Sequence, residues 1–519
     1  MTKATIRIDP AFAVGALNRQ LFGTFVEHMG RCVYTGVYEP DHPTADEHGF
    51  RGDVAALVHE LGPTLVRYPG GNFVSNYRWE DGVGPKRDRP TVLDLAWRSI
   101  ESNQVGTDDF LAWCARLEIE PMMAVNLGTR GLTEALELLQ YCNSPTGTQT
   151  ADRRAGNGFE KPHDVRYWCL GNEMDGPWQM GHKTAAEYAR LAEETARAMK
   201  RYDPTLQLVA CGSSNRQMPT FGSWERTVLE SCFEHVDLIS AHAYYEPVDG
   251  DIDSYLASGE DMHRFIAAVV ATADHVAAVK QSAKRINVSF DEWNVWFQNA
   301  FDGESSLEIR QAPALIEDVY DVTDAVVVGS LLITLMQHTD RVAVACQAQL
   351  VNIIAPILTE PGGAAWRQTI FHPFAVTARY ARGRVLRPAV DSPTIRTEQF
   401  GEVDQVWCTV TDDPDTGDLT VFVVNRSSTE PADLTIDLGP VQAASGGPLR
   451  LLEHLQLHED DRTLTNTAAQ PDRVVPRAGG ADQDGSSVRL TMPPVSWHCV
   501  RLTRPPTSRE PHPPKGSAS

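Results

Sequence analysis

Between about residue 20 and residue 355, short apolar runs alternate with longer amphipathic ones, and this rhythm restricts the fold more than any other feature of the chain. Eight runs have strand character: Leu21 to Glu27, Thr64 to Tyr68, Pro121 to Asn126, Val165 to Leu170, Leu206 to Cys211, Val236 to Ala241, Ile286 to Phe290 and Val342 to Leu350. Between them, sets such as Val54, Leu57, Val58, Leu61 and Tyr188, Leu191, Ala192, Thr195, Ala198, Met199 recur every three or four positions. That is the spacing of one-faced helices. Gly62 and Pro63 close the first of these as a C-cap glycine and a stop. Strands that alternate with helices pair in parallel, and eight such units suit a closed (β/α)8 barrel better than an open sheet.

After about residue 385 the helical spacing disappears. Val406, Cys408, Val410 and then Leu419, Val421, Val423 alternate with polar residues across the turn-rich Asp412 to Gly417, and Val488 to Met492 and Val495 to Leu502 continue the pattern. This predicts an antiparallel β-sandwich. Asn466 to Ser487 is rich in Gly, Asp and Gln and is expected to be a long surface loop, while the Pro-rich tail from residue 505 buries too little to order itself. The expected domains are a barrel over 18–384, a sandwich over 385–504 and a disordered tail over 505–519.

The formal charge of -23 carries no basic cluster, which argues against nucleic acid or anionic lipid as partner. Met1 to Pro10 lacks the apolar stretch of a secretory signal, and no uninterrupted apolar run approaches the ~20 residues of a membrane span. A cytosolic enzyme or binding protein with a small neutral ligand is expected. The nine cysteines (Cys32, Cys114, Cys142, Cys169, Cys211, Cys232, Cys346, Cys408 and Cys499) show no C-x-x-C spacing and fit buried thiols.

Barrel enzymes carry their chemistry at the C-terminal ends of the strands. Six of the eight predicted ends hold polar or ionisable groups: Glu27 and His28; Arg67 with Gly70, Gly71 and Asn72; Asn172 and Glu173; His242 and Tyr244; Asp291 and Glu292; Gln347 and Gln349. Glu173 and Glu292 follow strands four and seven, which open on one mouth. Cleavage of a glycosidic bond needs one carboxylic acid to protonate the leaving oxygen and one carboxylate on the other side of the anomeric carbon. Either glutamate alone serves equally well as a helix cap; the pair, with Asn172 beside it, does not reduce to that.

The segments Phe22-Gly-Thr-Phe-Val-Glu27-His28, Val66-Arg67-Tyr-Pro-Gly-Gly-Asn72-Phe, Leu170-Gly-Asn172-Glu173-Met, Ala241-His242-Ala-Tyr244-Tyr and Asp291-Glu292-Trp-Asn, in that order, resemble the α-L-arabinofuranosidases of glycoside hydrolase family 51. The resemblance implies a barrel flanked by a jelly-roll-like sandwich that residues 1–17 join through a strand near Thr5 to Asp9. It also implies a homo-oligomer, commonly a hexamer, that releases terminal arabinofuranosyl units from neutral arabinose-containing oligosaccharides with retention. Glu173 would be the general acid/base, Glu292 the nucleophile, and Glu27, Asn72, Asn172 and Gln349 hydrogen-bond partners of sugar hydroxyls. Arg67 would keep Glu292 ionised or serve as a structural ion pair. Tyr244 would orient Glu292, and His242 would tune the acid/base, line the pocket or hold structure. Trp178 would stack on sugar or simply pack.

Asp249, Asp251, Asp253 and Glu260 match calcium-loop spacing, but Ser254 stands where the sharp turn wants glycine, and acids at a helix N-terminus are the simpler account. With no H-E-x-x-H motif, neither a metal nor a cofactor is expected. The rival readings are a retaining barrel glycosidase of other specificity, such as an endoglucanase or β-xylosidase, and a non-catalytic carbohydrate-binding protein.

Overall fold

In a computed structural model, which describes residues 2–504 except 446, eight parallel strands close on one another. They are Gly23–Phe25, Leu65–Tyr68, Glu120–Val125, Tyr167–Leu170, Gln207–Ala210, Leu238–Tyr245, Asn287–Val295 and Val342–Gln347, called barrel strands one to eight below. Strand eight pairs back onto strand one through Cys346↔Gly23 and Gln347↔Thr24. Runs such as Leu65–Tyr68 and Tyr167–Leu170 are buried at every residue, because helices cover the outer face while side chains fill the interior. Gly62 caps the helix Gly52–Leu61 in the left-handed conformation, its N–H bonded to the Val58 carbonyl. The helix Ala185–Tyr202 starts in a capping box between Thr184 and Glu187 and turns Tyr188, Ala192 and Met199 inward.

Strands six and seven run past their expected ends, to Tyr245 and Val295. Their polar residues read as loop because sequence patterning assumes an apolar interior, whereas a barrel mouth is lined by polar side chains. The two strands are out of step between Ser240↔Ser289 and His242↔Glu292, so strand seven carries one extra residue there. Such a bulge re-aims side chains. It lets Glu292 line the cavity while its sequence neighbour Asp291 lies buried against His242 and Arg67.

The second domain is a sandwich of a five-stranded and a seven-stranded sheet. Its pairs are antiparallel with one exception: Thr2–Arg7 lies parallel to Ala432–Asp437 and antiparallel to Ala389–Asp391. Ala13–Ala16 joins the other sheet beside Arg384–Leu386. The stretch 466–487, expected to be loop, contains the strands Arg477–Ala478 and Ala481–Asp484. The second pairs with Ser487–Met492, and its alternating half-buried residues are too polar to announce a strand. Residues 505–519, expected to be a disordered tail, lie outside the described residues.

Barrel and sandwich meet across the helix Val322–Gln337, in which every residue but the last is buried. It packs on the sandwich strands Val406–Asp413, Asp418–Asn425 and Ser496–Thr503. Gly329 is required there, since a Cβ would overlap the Trp497 ring. Ser258–Val279 is apolar and long enough to cross a membrane by composition, although charged residues such as Arg264 and Asp274 interrupt its apolar run. Its buried residues Met262, Phe265, Ile266, Val269, Ala273 and Val276 recur at helical spacing on one face, as in a helix of the barrel's outer layer.

Candidate active site

The residues singled out at the strand ends converge on a cavity of about 700 Å³ at the barrel mouth. At its buried end Glu27 accepts hydrogen bonds from the Phe73 backbone N–H (2.9 Å), the Trp97 indole N–H (2.7 Å) and the Gln349 side-chain amide (3.1 Å). Burial pushes the Glu27 carboxyl up to about 8 against the pull of the Phe73 and Trp97 donors, and Glu292 and Asp94 add to the rise. A glycine must stand at 70, where φ is +117° and a Cβ would lie 2.5 Å from that of Glu27. Asn72 opens the 3-10 turn Asn72–Asn76 and lines the same end.

Arg67, on strand two, organises the floor. It is 1% exposed and donates to Glu292 Oε1 and to Asn172 Oδ1, both at 2.7 Å, with Asp291 at 3.9 Å. Burial alone would lower its pKa, but Asp291 and Glu292 hold it well above the ordinary value, so the guanidinium stays charged. Asn172, its carbonyl taken by Arg67, keeps its NH2 for another partner, with Gln179 at the long distance of 3.5 Å. Tyr244 donates to the other oxygen of Glu292 at 2.8 Å.

Glu173 leaves strand four through a turn that sets its own φ at +44°, a strained position for a side-chain-bearing residue. It receives the Trp178 indole N–H and the Nδ1 of His242, each at 2.8 Å. His242 Nε2 lies 2.9 Å from Asp291 Oδ1. Burial opposes charge on this imidazole, yet Glu292, Asp291 and Glu173 together raise it to about 10, so both ring nitrogens donate at neutral pH. Asp291 is pushed up by burial, but Arg67 and His242 hold it below the usual carboxylate range. Oxygens of Glu173 and Glu292 and a nitrogen of His242 lie within 4.8 Å of one another. That spacing also suits a metal ion, but Arg67, Tyr244, Trp178 and the His242 N–H groups already engage these carboxylates.

Not every polar strand end belongs to the cavity. His28 is buried between Glu101 and Tyr68, at 2.9 and 2.8 Å, and Gln347 hydrogen-bonds to Asn294 beneath the floor. The acids at calcium-loop spacing do not converge: Asp251 caps the helix Ile252–Leu256, Asp253 accepts from the Ser428 N–H, and Glu260 pairs with Arg426. All nine cysteines are buried and unpaired. Sequence reasoning overlooked Trp97, at the tip of the hairpin Val92–Asp94 and Ser99–Glu101, and the part of Asp291 under His242. Asp291 follows from its place beside Glu292. Trp97 sits in a long excursion after strand two with no periodicity to locate it.

Two family models cover most of the chain: the α-L-arabinofuranosidase 1 domain over residues 57–261 and the α-L-arabinofuranosidase C-terminal domain over residues 291–496. An intracellular exo-α-(1→5)-L-arabinofuranosidase of Streptomyces lividans is 54% identical over 99% of this chain and 77% of its own length. An exo-α-(1→6)-L-arabinofuranosidase of Bifidobacterium longum is 50% identical over 97% of this chain and 98% of its own. The solved structure of a family 51 α-L-arabinofuranosidase from Bifidobacterium longum superposes with a TM-score of 0.93 at 48% identity, covering 97% of this chain and all of that one. With a shared barrel, a shared sandwich and half of its residues identical to such relatives over nearly its full length, the chain belongs to the α-L-arabinofuranosidases of glycoside hydrolase family 51.

Proposed function

We propose that this α-L-arabinofuranosidase releases terminal non-reducing arabinofuranosyl units by double displacement, with Glu292 as nucleophile and Glu173 as acid/base. The observation that carries this reading is that an oxygen of Glu173 and an oxygen of Glu292 lie within 4.8 Å of each other, too close for a water-width gap between the carboxylates. A separation of about 5 to 5.5 Å suits a covalent intermediate, while inversion requires roughly 6.5 to 9.5 Å to admit a water. In the first step Glu292 bonds to the anomeric carbon as the bond to the leaving oxygen breaks and Glu173 gives that oxygen its proton. In the second, water attacks the same carbon, Glu173 takes the water's proton, and the ester bond to Glu292 breaks.

The surroundings fit these roles. Arg67 and Tyr244 each bond one oxygen of Glu292 and fix its orientation. Asn172 offers its NH2 to the 2-hydroxyl, where hydrogen bonds strengthen as positive charge develops on the ring. Glu27, Asn72 and Gln349 receive the other hydroxyls at the buried end, which supports exo action. His242 holds Glu173 and Asp291 together, and Trp178 bonds Glu173 while its exposed face is free for the leaving group.

Relatives 54% and 50% identical carry 1→5 and 1→6 linkages in their names, so membership of the family does not by itself fix the linkage cleaved. The intracellular name of the former supports action in the cytosol on short arabinose-containing oligosaccharides. Assembly as a homo-oligomer, a hexamer as the family resemblance implies, is to be tested by sedimentation of the purified chain, where a monomer would overturn it. Proton NMR of the first-formed sugar tests the mechanism: α-arabinofuranose is expected, and β-arabinofuranose as first product overturns double displacement.

A further inference from the structure

The catalytic cluster fills only one end of its cavity. A volume of about 700 Å³ accommodates about three sugar rings, more than the single pentose assigned above to the end lined by Glu27, Asn72 and Gln349. Beyond Glu173 the cavity runs outward between the loop after strand five and the first turns of the helices at Ile252–Leu256 and Ser258–Val279. It ends against the sandwich, at the tip of the hairpin Thr394–Thr397 and Gly401–Asp404. The tip residues Gln399 and Phe400 line the cavity, and the Gln399 N–H ties the tip to Ser254 Oγ at 3.1 Å. Arg264 stands 5.6 Å from the centre of the Phe400 ring.

We infer that this outer end is a leaving-group subsite for the second and third sugars of a neutral pentose chain, completed by the sandwich hairpin. The inference rests on the proposed function and adds to it the substrate's length and charge. The groups suit a sugar: an aromatic ring at Phe400, a side-chain amide at Gln399, and the hydroxyl of Ser214, a buried residue that lines the cavity beside Asp175. Neutrality follows from the charges. Arg216 is already paired with Asp261, and Glu246 and Glu304 border the same end, so a uronic acid would meet uncompensated carboxylates.

The test is kcat/KM on an aryl α-L-arabinofuranoside and on α-linked arabinobiose, arabinotriose and arabinotetraose. For the wild type a rise of about tenfold from the dimer to the trimer or tetramer is expected. Phe400→Ala should flatten that rise and leave the aryl substrate within about twofold. Equal loss on every substrate, or no loss on any, overturns the subsite. Gln399→Ala, at an exposed tip whose tie to Ser254 is through the backbone, repeats the measurement should Phe400→Ala fail to fold. A wild type with aryl activity but no dependence on chain length sinks this inference alone. A wild type inactive on the aryl arabinofuranoside sinks the proposed function, and the subsite with it.

Discussion

The barrel mouth and the seam beneath the sandwich are both buried, yet they are built on opposite terms. At the seam the helix Val322–Gln337 offers a nearly unbroken apolar surface, tight enough that Gly329 leaves no room for a methyl against Trp497. At the mouth Arg67, His242, Asp291 and Glu292 are charged groups almost without solvent, each compensated by another. Burying such groups costs several kcal/mol per ion before their mutual attraction repays it. The seam therefore holds the molecule together, and the mouth holds charges in a geometry that only a reaction justifies. Changes at the mouth should remove turnover more than stability, and changes at the seam should do the reverse.

The largest expected effect is at Glu292. Glu292→Ala should lower kcat by about 10⁴-fold or more for good and poor leaving groups alike, with the fold intact by circular dichroism. Residual activity within tenfold of wild type would remove Glu292 from the nucleophile's place. Glu173→Ala loses proton transfer, worth ~10² to 10⁴-fold, and the loss should depend on the leaving group. An activated aryl arabinofuranoside should give a burst and then slow turnover that azide accelerates, while an arabino-oligosaccharide is barely cleaved. Equal losses on both, with no burst and no azide effect, would mean the acid/base lies elsewhere.

At the seam, Gly329→Val should destabilise by roughly 1 to 3 kcal/mol through overpacking against Trp497. Thermal unfolding should shift down by several degrees while kcat of the folded fraction stays at the wild-type level. A fall in kcat without a fall in melting temperature would erase the distinction between the two regions.

A smaller effect links them through pH. His242 is held at about 10 in the folded protein against 6.5 as its ordinary value. Its contribution is therefore complete below about pH 6.5 and is lost as pH rises through 10. Melting temperature should fall between pH 7 and pH 10, and His242→Gln should show a shallower fall over that window. Parallel profiles would mean that the imidazolium adds nothing. The smallest effect concerns metal: activity in a chelator should equal activity without it, because no chemical step calls for an ion. Loss of activity restored by zinc or calcium would assign the Glu173, His242 and Glu292 cluster a different task.

The same contrast governs how much could be read from sequence. The barrel was legible because parallel strands buried on both faces stand out as apolar runs, and the site because charged residues interrupt those runs at one end. Strands six and seven extend further than their apolar residues suggest, since His242, Tyr244 and Glu292 sit within strands whose inner face turns polar. The shared use of Arg67 by Asp291 and Glu292 depends on a bulge, a matter of register that composition does not record. Trp97 reaches Glu27 from a hairpin 70 residues further along, held by the buried Glu101 beneath it and by Arg98 bonding to the Leu307 carbonyl. The parallel pairing of Thr2–Arg7 with Ala432–Asp437 escaped for a similar reason: its two halves are separated by the entire barrel.

That pairing has a consequence for how the protein is made. The strand Thr2–Arg7 leaves the ribosome before any barrel strand, yet Ala389–Asp391 and Ala432–Asp437, which flank it in the sheet, follow only after every barrel strand has been synthesised. At ~5 to 20 residues per second the opening strand waits roughly 20 to 90 seconds for its neighbours. Throughout that interval its two edges are open to any extended chain nearby, including a sister copy on the same messenger. The order of translation thus leaves Thr2–Arg7 exposed to wrong pairing for longer than a strand whose neighbours are made beside it.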